Sequence, residues 1–179
     1  MKKILTAIIF FLLASNLQAQ KKTVCPFFTG TFHLTFAVNE NFILNSDDGE
    51  TFFIPTATFF RFGFGYQLGD KFAISVNGGY DYHFPYAINA FPTYFTGRYN
   101  LWGDFEESFF LEASRGKMWR PSFRYSDGDY YNVGIGWLIE SGSRWRPEIK
   151  LMYHQKKIQG FEDSGKLESI SLGVGFRFF

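Results

Sequence analysis

Hydrophobic and polar residues alternate one by one along most of this chain, most clearly over residues 169–179, which read SISLGVGFRFF. A period of two places successive side chains on opposite faces of a β-strand. The weakest segment is 107–115, where Phe109 and Phe110 are adjacent and interrupt the alternation. No segment has the period of a helix, so the sequence predicts an all-β protein. The eight predicted strands are 29–38, 53–68, 71–83, 91–102, 107–115, 129–140, 145–154 and 167–179.

The links between the predicted strands alternate strictly between long and short. Short links such as Gly69-Asp70 are typical of tight hairpin turns between antiparallel strands. All the long links therefore lie at one end of the structure, and all the short links lie at the other. An even number of strands brings both termini to the short-link end. The long links are 39–52, 84–90, 116–128 and 155–166, and the short ones are 69–70, 103–106 and 141–144.

The two faces of the predicted strands differ in size as well as in polarity. One face carries bulky Phe, Leu, Ile, Val, Tyr and Trp, and the other carries Gly, Ser, Thr and charged residues. The interior of an eight-stranded barrel is just wide enough for side chains to fill. We therefore expect the glycine-rich face to point inward and the bulky face to point outward, where it would suit lipid. The alternative is a water-soluble barrel of the lipocalin or streptavidin kind, with the bulky face packed inside around a ligand.

The predicted architecture is an eight-stranded antiparallel up-and-down transmembrane β-barrel with short periplasmic turns and longer extracellular loops. In hydrocarbon, an unpaired backbone N–H or C=O is costly, so a membrane-spanning sheet has to close on itself. The terminal strand 167–179 is therefore expected to pair with strand 29–38. Aromatic residues toward the strand ends, such as Tyr66, Trp137 and Trp145, are expected at the membrane interfaces.

The N-terminal residues 1–19 have the features of a secretory signal peptide that is cleaved. Lys2 and Lys3 precede an apolar run that is too short to cross a membrane as a helix. A retained helical anchor is the alternative, and the length of the run argues against it. We expect residues 20–28 to form a short periplasmic lead and residues 29–179 to form the barrel.

Composition narrows the class further. Aromatic residues make up 22% of the chain, with 25 Phe beside 18 Gly, and they are spread in alternation. The 18 basic and 17 acidic residues nearly balance, so no basic excess favours nucleic acid as a partner. Cys25 is the single cysteine, which excludes an internal disulfide framework. Its separation from the apolar run argues against a lipid-modified terminus.

The signal peptide, the alternating strands, the unequal links and the aromatic C-terminal strand together resemble the small outer-membrane β-barrel superfamily, which includes OmpA transmembrane-domain and OmpX-like proteins. The resemblance implies the outer membrane of a Gram-negative-type bacterium, with both termini periplasmic. It also implies that the barrel-assembly machinery recognises the terminal strand through Phe176, Phe178 and Phe179. The apolar spacing of that family's signal fits when it is counted from Phe178, while Phe179 matches the terminal aromatic.

Several charged residues lie on the face predicted to point inward. Because buried charges have to be paired, we expect them to form a self-neutralising plug, and an ion or proton path is the alternative. Glu148 with Lys150, and Glu112 with Arg98 or Arg61, are candidate pairs. The predicted lumen network is Arg61, Asp81, Arg98, Glu112, Glu148, Lys150 and Arg177, with Glu140 and Arg146 on the same face.

A basic and aromatic segment, residues 114–125, begins at the end of the fifth predicted strand, on the side with the long links. Arginine binds phosphate in a bidentate manner, so lipopolysaccharide phosphates are one expected partner and an extracellular protein ligand is another. The candidate contact residues are Arg115, Lys117, Trp119, Arg120 and Arg124.

Catalytic and metal chemistry have weaker support in the sequence. His154 is a candidate for a lipid A deacylase-like enzyme, but it lacks the His-x-Ser spacing of such enzymes, and a palmitoyltransferase-like site at His33 has less support. His33, His83 and His154 lie on separate strands without the paired spacing of metal ligands. We predict no metal and no cofactor. The expected role is structural, or surface interaction through the long loops, with a lipid A-modifying enzyme or a narrow pore as the alternatives.

Overall fold

A computed structural model describes residues 24–37, 55–84, 87–104, 106–123, 125–158 and 165–179. The predicted signal peptide and the link 39–52 lie outside these residues. Within the described ranges, no helix is long and apolar enough to cross a membrane. The strands are β1 (Val24–Ala37), β2 (Ala57–Leu68), β3 (Phe72–His83), β4 (Ile88–Gly103), β5 (Ser108–Trp119), β6 (Gly128–Leu138), β7 (Trp145–Ile158) and β8 (Lys166–Phe178).

The eight strands form one closed antiparallel barrel in which each strand pairs with the next and β1 pairs with β8. The predicted eight-stranded antiparallel up-and-down barrel is therefore confirmed. The seam between β1 and β8 runs from the pair Phe28 and Phe178 to the pair Ala37 and Ser169. The C-terminal strand is consequently an interior member of the sheet, and its backbone groups are paired on both sides.

The three short links lie at the same end of the barrel as Val24 and Phe179. They join β2 to β3, β4 to β5 and β6 to β7. Two of these turns use glycine with positive φ, Gly69 at 80° and Gly103 at 84°, a conformation that favours glycine. We call this end of the barrel the short-link end and the opposite one the long-link end.

Strand β1 begins at Val24, whereas the sequence predicted a lead over residues 20–28. Residues 24–28 pair in register with 64–68 of β2 and belong to the barrel. Phe27 and Phe28 are adjacent apolar residues, and Phe27 points inward while Phe28 points outward. The sequence did not reveal this first part of β1, because the inward residue Phe27 is apolar like its outward neighbour Phe28.

Strands β5 and β7 extend further toward the long-link end than predicted, to Trp119 and Ile158. The predicted links 116–128 and 155–166 are correspondingly shorter. The predicted link 84–90 is also too long, because β4 begins at Ile88 rather than at residue 91. Both extensions place apolar residues inside the barrel, Met118 on β5 and Ile158 on β7, each less than 7% exposed. An apolar interior at this end hides the change of polarity that marks a strand in the sequence.

Burial follows the two predicted faces. On β2, for example, Phe60, Phe62 and Phe64 are 45%, 66% and 52% exposed, whereas Arg61 is 4% exposed. The bulky face therefore points outward around the barrel, and the glycine-rich face points inward.

We expect Gly175→Ala to destabilise the barrel by about 1–3 kcal/mol, because a Cβ at Gly175 would lie 2.2 Å from the carbonyl oxygen of Gly30 across the seam. Chemical unfolding followed by circular dichroism measures this change. Gly97→Ala is the matched control, since a Cβ at Gly97 meets no atom within 4 Å. Equal stability of the two variants would show that the seam is not closely packed at Gly175.

Candidate functional site

The interior of the barrel is the most distinctive candidate site, because charged and aromatic side chains cross it at successive levels. At the short-link end, the Arg177 guanidinium lies 4.2 Å from the Phe27 ring centroid and donates to Gln67 Oε1 at 3.1 Å. Phe179 packs beside Phe27 with ring centroids 5.9 Å apart, and Arg146 lies 4.5 Å from the Phe179 centroid. The short-link end is thus closed by stacked rings and guanidinium groups.

The next level holds four charges, Arg98, Glu112, Glu148 and Lys150, which we call the four-charge cluster. Arg98 Nη2 lies 2.9 Å from Glu112 Oε2 and 3.0 Å from Glu148 Oε2. Lys150 Nζ lies 3.2 Å from Glu112 Oε2 and 3.1 Å from Glu148 Oε1. Each cation contacts both carboxylates, so the two positive and two negative charges neutralise each other.

Two further contacts stabilise the four-charge cluster. The Arg98 guanidinium lies 3.6 Å from the centroid of the Phe110 ring, within range of a cation–π interaction. The Thr29 hydroxyl donates to Glu148 Oε1 at 3.1 Å. Breaking a buried ion pair leaves an uncompensated charge, so each member of the cluster holds its partners in place.

A chain of hydrogen bonds crosses the barrel above this level. The Tyr130 hydroxyl is hydrogen-bonded to His154 Nδ1 at 2.8 Å, and His154 Nε2 to Ser171 Oγ at 2.7 Å. Ser171 Oγ is in turn hydrogen-bonded to His33 Nδ1 at 3.1 Å, and His33 Nε2 to Thr31 Oγ1 at 3.0 Å. Both imidazoles therefore use both of their ring nitrogens inside the barrel.

A second ionic cluster, which we call the Asp81 cluster, lies nearer the long-link end. Arg61 forms an ion pair with Asp81, and Lys156 Nζ lies 2.5 Å from Asp81 Oδ2. Lys156 Nζ is also 2.7 Å from His83 Nε2 and 3.8 Å from the Phe59 ring centroid. The Asp81 carboxylate thus pairs with two cations. The Phe59 ring and the His83 imidazole also contact Lys156.

An apolar layer lies toward the long-link end of the interior, where Tyr94 and Tyr130 also border Arg61 of the Asp81 cluster. The residues of the layer pack on one another. They are Ala90, Tyr94, Met118, Tyr130, Ile158 and Leu167, with Ile88 packed against them.

The structure places the seven residues of the predicted lumen network inside the barrel, each less than 7% exposed. Glu140 is a correction, because it is exposed beyond the end of β6 at Leu138. Lys156 and Tyr130 were missed. The alternation along the strands could have placed both residues inside the barrel. Lys156 lies two residues from His154 and Tyr130 two residues from Asn132, so each shares the inward face of its neighbour.

The enzyme candidate His154 is 2% exposed and points into the barrel. Its contacts with Tyr130 and Ser171 lie on the opposite side of the sheet from the outward surface, where acyl chains would approach. A deacylase-like site that acts on lipid would need this side chain on the outward surface, and His154 does not lie there. Among the described residues, no group of three His, Cys, Asp or Glu side chains is placed to hold a metal ion.

The basic contact candidates are distributed between a strand and a link. Arg115, Lys117 and Trp119 lie on β5 and point outward, which corrects the predicted loop position of Lys117 and Trp119. Arg120 follows the strand, with its guanidinium 5.6 Å from the Phe123 ring centroid. Arg124 lies outside the described residues.

The three C-terminal phenylalanines point to different sides of the sheet. Phe176 and Phe178 flank Trp145 on the outward face, with ring centroids 4.7 Å and 4.8 Å away. Phe179 packs against Phe27 at the base of the interior. The outward aromatic positions at the end of β8 are therefore Phe178 and, two residues before it, Phe176.

These features define an eight-stranded up-and-down β-barrel whose described inward residues include ion pairs and aromatic rings. The fold is similar to that of the N-terminal β-barrel domain of Pseudomonas aeruginosa OprF, a solved structure. The TM-score is 0.53 at 14% sequence identity, and the match covers 89% of this chain and 100% of that one. No family model and no curated protein match this sequence.

We expect Glu148→Gln to destabilise the protein by about 3–5 kcal/mol, because Arg98 and Lys150 would then share a single carboxylate. Unfolding in denaturant measures the loss. Glu140→Gln makes the same chemical change at an exposed position and should stay within about 0.5 kcal/mol of the parent.

A double variant checks the cause of that loss. Lys150→Met added to Glu148→Gln leaves Arg98 paired with Glu112 and should recover part of the stability. A double variant that loses the full sum of the two single effects would contradict the coupling.

Proposed function

We propose that this protein is a small outer-membrane β-barrel with a closed, charge-filled interior, whose role is structural or one of surface interaction through its long links. It acts without catalysis, as a rigid frame that holds these links at the outer surface. The short links and both termini of the barrel face the periplasm.

The outward surface carries this proposal. A band of exposed Phe, Leu, Ile and Val encircles the barrel, and water would solvate such a continuous apolar surface poorly. Aromatic residues with polar atoms flank the band on both sides, as in the girdles of transmembrane barrels. Toward the short-link end they are Tyr66, Tyr99, Trp102, Trp137 and Trp145, and toward the long-link end Tyr80, Trp119, Tyr131 and Tyr153.

Three further observations support the same proposal. The likeness to the OprF barrel domain agrees with the superfamily that the sequence resembles. Three of the four links at the long-link end are longer than any link at the short-link end, as in barrels with short periplasmic turns and longer outer loops, while the link from His83 to Ile88 is short as well. The closed sheet also leaves no strand edge exposed to hydrocarbon.

The filled interior favours a plug over a pore. The four-charge cluster and the Asp81 cluster occupy the middle of the barrel, with rings below and an apolar layer above. Ions would have to displace several paired charges to pass. Partners of the protein are then lipid, lipopolysaccharide, the barrel-assembly machinery and an extracellular ligand bound at the long links.

An arginine in the middle of the outward band tests the membrane location. We expect Leu172→Arg to destabilise the barrel in lipid vesicles by about 2–4 kcal/mol, because the charge would enter hydrocarbon. Urea unfolding followed by tryptophan fluorescence measures the effect. Phe123→Arg is the control, since Phe123 is 96% exposed in the link after β5. A parent protein that stays folded and dispersed in buffer without detergent would contradict the proposal.

A closed interior predicts no steady conductance when the purified protein is inserted into a planar bilayer. An open porin inserted under the same conditions is the positive control for the recording. A stable open channel from this protein would show that the ionic clusters do not block the interior.

A further inference from the structure

The outward surface has a groove between β2 and β5 that interrupts the apolar band. Its volume is about 670 Å³, and its walls include Phe64, Val76 and Phe95. Its floor contains Gly97 and Ala113, which are paired in register on β4 and β5. Two small residues thus lie side by side on an outward face that carries mostly bulky side chains.

The absence of side-chain volume at this pair makes the groove. A Cβ at Gly97 would meet no atom within 4 Å, and the neighbouring Phe95 is 71% exposed. On β7 and β8, by contrast, the outward pair Leu151 and Leu172 consists of two large side chains. The small pair therefore distinguishes the outward surface of β4 and β5.

A cationic patch borders the groove toward the long-link end. Arg115 follows Ala113 on the outward face of β5, about 7 Å further along the strand, and Lys117 follows Arg115. Arg115 and Lys157 flank the Tyr131 ring, at 5.6 Å and 5.8 Å from its centroid.

One carboxylate lies within this patch. Asp129 is opposite both Lys117 and Lys157 in the strand register. Three cations therefore meet one anion on the outward surface, where the proposed membrane orientation places the headgroups of the outer leaflet. The patch has unbalanced positive charge beside the apolar groove.

We propose that the groove and the cationic patch form one binding site for a phosphorylated, acylated lipid, the lipid part of lipopolysaccharide. An acyl chain occupies the space over Gly97 and Ala113, and the phosphate binds Arg115 and Lys117. Arginine suits this position because its guanidinium binds phosphate oxygens in a bidentate manner. The inference rests on the proposed outer-membrane location.

Charge decides between this occupant and a second copy of the chain. In a symmetric dimer, both partners would present the same face, so Arg115 and Lys117 would approach their own copies. Such like charges repel strongly away from water. A phosphate instead supplies the negative charge that the patch lacks, and an acyl chain supplies apolar surface for the groove.

The test uses the folded protein in mild detergent, with native mass spectrometry of bound lipid A and of the same lipid without phosphate. The double variant Arg115→Gln and Lys117→Gln should weaken binding of phosphorylated lipid at least tenfold and leave the dephosphorylated lipid unaffected. Lys71→Gln, a cation in the turn at the opposite end, is the matched control. Equal binding by all these proteins would overturn the assignment of the phosphate.

The groove is tested separately by Gly97→Leu with Ala113→Leu, which fills the space. This variant should weaken both lipids, whereas Gly142→Leu in the link after β6 should weaken neither, because a Cβ there also meets no atom within 4 Å. If millimolar inorganic phosphate displaced the lipid completely, the phosphate alone would account for binding. That result would contradict the claim that the groove is part of the site. Folding and thermal stability of each variant are checked by circular dichroism.

The two proposals fail differently. A parent protein that does not insert into vesicles contradicts the membrane location itself. If the parent protein inserts but binds the two lipids equally, and no variant changes this binding, the membrane location still stands. Only the lipid site is then contradicted.

Discussion

The narrow interior of an eight-stranded barrel is the constraint on which the rest of the structure depends. A ring of this size has room for side chains and little else. Long charged groups can enter only where neighbours are small. At Gly136, for instance, a Cβ would lie 2.4 Å from the Phe110 ring, the same ring that lies beneath Arg98. Glycine on the inner face is therefore what allows an arginine and its aromatic support to fit at one level.

The same constraint explains how the charges are arranged. The four-charge cluster is neutral and satisfies its members with one another. The Asp81 cluster has one more cation than anion, and the π-faces of Phe59 and Tyr130 lie within 3.8–5.5 Å of its cations. A ring face is partly negative, so it offsets part of the excess charge without adding a second carboxylate.

Alternation along the chain was enough to predict the closed barrel, its unequal ends and the inward position of residues such as Arg61 and Arg177. It failed where the interior becomes apolar, at Phe27 and Met118, because both faces are then hydrophobic and the strand ends cannot be recognised. Individual pairs depend on the register between strands, and the irregularity between Asn100 and Trp102 shows how register can shift inside one strand pair. Sequence periodicity contains no information on such a shift.

The seam between β1 and β8 has a consequence for the order of folding. Every other pairing in the barrel joins consecutive strands, so hairpins can form locally with little loss of chain entropy. The seam alone brings together segments from the two ends of the barrel sequence. It contains Gly30, Gly173 and Gly175, where the Phe176 ring, the His33 ring and the Gly30 carbonyl oxygen respectively leave no room for a Cβ. Contacts of such long sequence separation form slowly. Ring closure is thus the natural last step of assembly, and until it occurs both terminal strands remain free to pair with another chain.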